Sequence, residues 1–160
     1  MMEIMESSTQ NRKQIYDRVR NIWVLATPEE IVRQSLLKKM IDELSYPKEL
    51  IVVEKALSEI PFFSAIKAPL RRIDVACFAA KIHPDHVLYP LLIIECKESE
   101  KDSMKALEQV KGYNYFLKAY FISVAYPGGE LFGFLNQGEF CLLKYLPSYP
   151  QLLQAMTYGK

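Results

Sequence analysis

The apolar run Leu91-Leu92-Ile93-Ile94, closed by Glu95-Cys96-Lys97, constrains the fold of this chain more than any other stretch. It reads as an extended strand, on which successive side chains alternate faces. Glu95 and Lys97 therefore emerge on one side, while Cys96 turns back into the fold. A second short run, Arg71-Arg72-Ile73-Asp74-Val75-Ala76-Cys77-Phe78, reads as the neighbouring strand of the same sheet and carries Asp74.

Two acids and a lysine at adjacent strand positions match the needs of a magnesium-dependent phosphodiester hydrolase. The acids offer hard oxygen ligands to a cation that keeps several waters, and the lysine polarises a phosphate or the attacking water. The competing reading of Glu95 and Lys97 is a solvated ion pair at a strand end, worth about 0–1 kcal/mol.

Upstream, Thr27-Pro28-Glu29-Glu30 predicts a helix start, with Thr27 as N-cap, Pro28 in the first turn and Glu30 completing a capping box. The helix is expected to reach about Leu44, burying a stripe of Val32, Leu36, Leu37, Met40, Ile41 and Leu44. Arg33 falls near the middle of that stripe. Either its stem lies on the core and its head reaches solvent, or it holds one of the acids. Tyr46-Pro47 ends the helix, and residues 50–57 read as the first strand of the main sheet, with Glu54 facing a metal or pairing with Lys55 or an arginine. Pro61 to Pro69 is expected to be a loop, and Ile82 to His86 the turn before the Leu88–Lys97 strand. His83, Asp85 and His86 read as a solvated turn rather than a zinc site.

A second helix is expected from Lys101 to about Ala119, with Ala106, Val110, Tyr113 and Leu117 as its core stripe. Lys101, Lys105 and Gln109 share one flank that fits a phosphate backbone, although lysines so placed are also ordinary solvated charges. Tyr120 to Ala125 reads as a buried strand, Glu130 to Tyr145 as a closing hairpin turned at Gly138, and the end as a short helix. Residues 1–13 read as a loose arm, residues 15–24 as a hairpin or extended arm, and 14–160 as one domain. With 160 residues, 50% of them hydrophobic, the chain has enough apolar content for one sizeable core. A formal net charge of +1 means that nucleic-acid binding has to come from a local patch. The separated thiols Cys77, Cys96 and Cys141 fit reduced cysteines in a cytoplasmic protein, and neither a membrane span nor a secretory signal is expected.

The order helix, strand, strand, strand, helix, strand, with Asp74 on strand two and Glu95-Cys96-Lys97 on strand three, resembles the PD-(D/E)XK nucleases. More closely it resembles the N-terminal nuclease-type domain of type I restriction enzyme R subunits. The matching stretches are Thr27-Pro28-Glu29-Glu30 with Arg33-Gln34, Tyr46-Pro47, Val53-Glu54-Lys55, Arg71-Arg72-Ile73-Asp74, Ile93-Ile94-Glu95-Cys96-Lys97-Glu98, and Glu108-Gln109-Val110 with Tyr113-Asn114. They span about residues 15 to 147. The resemblance implies an α/β fold with a restriction-endonuclease-like αβββαβ core, a mixed central sheet flanked by helices, an N-terminal arm and a C-terminal hairpin. It implies that Asp74, Glu95 and the main-chain carbonyl of Cys96 hold Mg2+ or Mn2+. Lys97 would activate water and neutralise the phosphate, and Gln109 would orient water or backbone. Glu30 matches an acid that some members add to the site, while its capping role explains it equally well. Arg71, Arg72, Lys101 and Lys105 are the residues assigned to nucleic acid.

Where related domains tend to place Thr-Asn-Gly after the last core strand, this chain has Ser123-Val124-Ala125-Tyr126-Pro127. Motor domains have no room in 160 residues, so the chain is expected to act alone, as a homo-oligomer or with another polypeptide. The functional expectation is a nuclease acting on DNA, with no membrane partner. The alternative is a non-catalytic nucleic-acid- or protein-binding module on the same scaffold, for which the aromatic-rich C-terminal portion would supply a partner surface.

Overall fold

A computed structural model of the chain describes residues 2–6, 12–59 and 71–158. The loop expected over Pro61 to Pro69 lies outside them. The principal sheet has six strands in the order β4 (Ile51–Ala56), β5 (Arg72–His83), β6 (His86–Cys96), β7 (Phe121–Tyr126), β8 (Gly129–Asn136) and β9 (Glu139–Leu143). A small antiparallel sheet precedes it, made of β1 (Ile4–Glu6), β2 (Lys13–Asp17) and β3 (Ile22–Leu25). Three α-helices complete the fold: α1 (Pro28–Asp42), α2 (Ser103–Leu117) and α3 (Tyr149–Tyr158). The expected helix–strand–strand–strand–helix–strand order is present, and the expected hairpin over 15–24 is β2 and β3. Part of the arm expected over 1–13 is structured, because Ile4–Glu6 pair antiparallel with Lys13–Ile15.

Adjacent strands of the large sheet run antiparallel except β6 and β7, which are parallel. The reason is the connection: β6 to β7 is a crossover through α2. The sheet thus separates two apolar layers. On one face α1 and α3 cover Val75, Cys77, Leu92, Ile94 and Cys96. On the other, α2 covers Ala76, Ile93, Ile122 and Val124 through Ala106, Val110, Tyr113 and Leu117, the stripe expected from the sequence. Leu91 to Ile94 are fully buried, as a central strand covered on both faces requires.

Thr27 caps α1 as expected, its hydroxyl accepting the Glu30 N–H at 3.1 Å. The reciprocal half of the capping box does not form. The Thr27 N–H donates to the Leu25 carbonyl, and the Glu30 carboxylate accepts from Arg20, Arg33 and Gln34 instead. An arginine on the buried face outcompetes a backbone amide for a carboxylate, because a charge-assisted bond is roughly twice as strong as a neutral one.

At its far end α1 is locked to the C-terminal segment. Tyr46, 2% exposed, donates its hydroxyl to the Pro147 carbonyl at 2.7 Å and meets the Tyr149 ring edge-on, while the Tyr149 N–H donates to the Leu44 carbonyl. Among the described residues no helix is long and apolar enough to cross a membrane.

Tyr46→Phe strips the Pro147 carbonyl of its donor while preserving the packing. It is expected to lower stability by about 1–2 kcal/mol, read as a reduced urea midpoint at unchanged slope.

Candidate active site

The strand-end acids do come together. The antiparallel register of β5 and β6 pairs Val75 with Ile94, so Asp74 and Glu95 stand one residue further along each strand, opposite one another. Both are buried, Asp74 at 8% and Glu95 at 7% exposure. Lys97 follows the end of β6, its N–H donating to the Ala125 carbonyl of β7 at 2.8 Å. Its ammonium stands 3.9 Å from Glu95 Oε1, on the same side of the strand as alternation requires, while Cys96 packs in the α1 layer.

The backbone is irregular here. Val53 pairs with Val75 and Lys55 with Ile73, which sets Glu54 opposite Asp74, and Glu54 has a left-handed φ of 55°. Along β5 the alternation slips at this point, since Ile73 packs in the α2 layer and Val75 in the α1 layer. Local irregularities of this kind re-aim side chains beside functional sites.

Each acid is held from a different face. On the α1 side, Arg33 is 3% exposed, and its Nη2 donates to Asp74 Oδ1 at 3.1 Å and to Glu54 Oε1 at 2.8 Å, while Nη1 binds Glu30. Of the two readings of Arg33, the structure has the second: its head is buried and holds the acids. The other Asp74 oxygen accepts the Cys96 N–H at 2.8 Å. On the α2 side, Tyr113 donates its hydroxyl to Glu95 Oε2 at 3.2 Å, and the Arg71 guanidinium lies 3.3 Å from Oε1 and stacks on the Tyr113 ring. Burial, with the neighbouring Asp74 charge, pushes Glu95 up to about 6 against the pull of Arg71 and Lys97. Burial also opposes the Arg33 charge, yet Asp74 and Glu30 outweigh it and bind the guanidinium proton more tightly than usual.

The remaining sequence-derived residues divide. Glu54 bridges Arg33 and, at 3.6 Å, Arg72. Glu30 belongs to a relay that runs through Gln34 and Arg20 to the fully buried Asp17 on β2. Gln109 is exposed one helical turn before Tyr113, Lys105 is exposed in the first turn of the same helix, and Lys101 is exposed just before it. Sequence reasoning missed three participants. Tyr113 was legible only as a core position, although it lies four residues beyond Gln109. Arg71, assigned to nucleic acid, is the direct partner of Glu95. Glu29, the neighbour of Glu30, lies in the field of Asp74, Lys97 and Arg33; burial and then Asp74 raise its pKa.

Among the described residues no three His, Cys, Asp or Glu side chains are grouped to hold a metal ion. The donors that are present suit a hard cation that retains waters and needs only one or two carboxylates. The Asp74 and Glu95 contacts above leave lone pairs free on both carboxylates. Burial first and the neighbouring Asp74 charge second raise the Glu95 pKa, and a divalent cation would favour its ionised form.

Residues 28–131, about two thirds of the chain, match the family described as Type I restriction enzyme R protein N terminus. Neither the curated proteins nor the solved structures searched contain a match.

Two predictions concern the charges. Arg33→Met leaves Asp74, Glu30 and Glu54 without their common counter-ion, and is expected to lower stability by about 3–5 kcal/mol in urea unfolding. For Glu95, the folded state holds the proton more tightly than the unfolded chain, so its contribution to stability falls as pH rises from its ordinary value of 4.5 through about 6. Glu95→Gln removes that dependence. Its stability relative to the parent is expected to improve by about 2 kcal/mol between about pH 4 and pH 8, measured as the difference between the two pH–stability curves.

Proposed function

The chain belongs to the family of type I restriction enzyme R protein N termini, and we propose that it is a metal-dependent phosphodiester hydrolase of the PD-(D/E)XK kind, acting on DNA. The observation that carries this reading is the facing pair Asp74 and Glu95 on adjacent strands, with the Lys97 ammonium 3.9 Å from Glu95 Oε1.

Asp74, Glu95 and the Cys96 carbonyl are the residues that would hold Mg2+ or Mn2+. When bound, such a cation lowers the pKa of its water and offsets charge developing on the phosphate. Arg33 and the Cys96 N–H fix the Asp74 carboxylate, so it is oriented before any ligand arrives. Tyr113 does the same for Glu95 through Oε2. Lys97, 30% exposed, reaches solvent and is free to orient the attacking water and meet a non-bridging phosphate oxygen. Arg71, stacked on Tyr113, is placed to transfer from Glu95 to a phosphate once a cation takes over the neutralisation of Glu95. Gln109 and the lysines 101 and 105 extend the polar surface along α2 towards the backbone of the substrate.

The test begins with metal, because binding needs no choice of substrate. Calorimetric titration of Mn2+ is expected to show a site that Asp74→Ala and Glu95→Ala both abolish. Lys97→Ala is expected to keep the metal and to lose about 10²-fold or more of DNA cleavage. Absence of binding at millimolar metal, or binding indifferent to both acid substitutions, would leave the non-catalytic module as the better reading.

A further inference from the structure

Away from the acids, a groove of about 590 Å³ lies where the C-terminal half of α2 meets β7, β8 and β9. Its wall on α2 includes Lys111 and Tyr115, four residues apart on one face, and Lys118 at the C-cap of the helix adjoins them. The same helix sends Tyr113 to Glu95 in a different direction.

The groove is unusually aromatic for an open surface. Tyr115 is 76% exposed and Tyr120 is 41% exposed. Phe140 packs against β8 where Gly133 has no side chain: a Cβ on Gly133 would come 2.3 Å from the Phe140 ring. Lys111 places its ammonium 3.6 Å from the centroid of that ring and also pairs with Glu108 at 3.2 Å. The lining holds two lysines and no acidic side chain. Exposed rings call for a flat apolar ligand and the lysines for an anionic one, and an unpaired nucleic-acid strand supplies both along its length. An apolar protein segment would meet the rings but would offer Lys118 no opposite charge, and the lining itself has none.

We propose that this groove is a second nucleic-acid site, which takes a single-stranded segment by stacking bases on Tyr115 and Tyr120 while Lys111 and Lys118 meet its phosphates. It goes beyond the hydrolase reading and is independent of it, since none of its residues touches Asp74, Glu95 or Lys97.

The experiment is fluorescence anisotropy with a labelled oligodeoxythymidylate of about 12 nucleotides, long enough for one such site, and a matched duplex. The full chain is used, in chelator, so that no metal chemistry contributes. The single strand is expected to bind more tightly than the duplex. Tyr115→Ala is expected to weaken it about tenfold and Tyr115→Trp to restore it. Lys118→Asn keeps a residue that tolerates the local φ of 56° and is expected to reduce the salt slope by about 0.7. Urea midpoints of the variants serve as the folding control, and the exposure of Tyr115 predicts little change. Single-strand affinity equal in all variants, or no binding, would overturn the proposal. So would sedimentation as a dimer that Tyr115→Ala dissociates, since the groove would then be a self-interface. If oligonucleotide binds here while metal binding fails, the hydrolase reading falls and this one stands.

Discussion

A buried guanidinium organises this molecule. Arg33 sits in the middle of the apolar face of α1, where an uncompensated charge would be prohibitive, and its partners come from three elements: Glu30 on α1, Glu54 on β4 and Asp74 on β5. That requirement fixes α1 against one end of the sheet. It also explains why Glu54 is held in a left-handed conformation, which disfavours a residue with a Cβ by roughly 1–2 kcal/mol: its carboxylate faces two arginines. Through Glu30, Gln34 and Arg20 the same network reaches Asp17, so the small N-terminal sheet is joined by polar bonds to the strand that carries Asp74.

The two acids stand at a seam. Asp74 is oriented from the α1 layer and Glu95 from the α2 layer, so the geometry between them depends on both cores and on the β5–β6 register at once. An error in either helix would move one carboxylate against the other, which is how a site on strand ends becomes rigid without a metal cage. The crowding has an electrostatic signature at Glu95, whose proton affinity rises because burial and Asp74 together exceed what Arg71 and Lys97 return.

The strand and helix order was legible because it rests on local periodicity: alternation set Glu95 with Lys97, the four-three-four stripe set Tyr113 inward, and Thr27-Pro28 set the start of α1. Partners distant in sequence were not legible. Arg33 lies 21 residues from Glu54 and 41 from Asp74, and no local pattern identifies which acid a buried arginine will meet. The capping-box motif misled for a different reason: Glu30 had stronger partners within one helical turn, Arg33 and Gln34, than the backbone amide. Glu29 and Glu30 are adjacent in sequence, but a helix separates neighbours by about 100°, so one faces the Arg33 relay while the other faces Asp74 and Lys97.

The near-neutral net charge says nothing of how the charges are placed. Arg20, Arg33 and Arg71 are engaged with Asp17, Glu30, Glu54, Asp74 and Glu95, so these charges offset one another within the fold. The lysines of α2 and its approach, Lys101, Lys105 and Lys118, are exposed. Glu100, Asp102 and Glu108 are exposed on the same segment, so α2 and its approach present charge of both signs to a polyanion. What decides whether a phosphate backbone can approach is the local field along α2, which a total charge does not report.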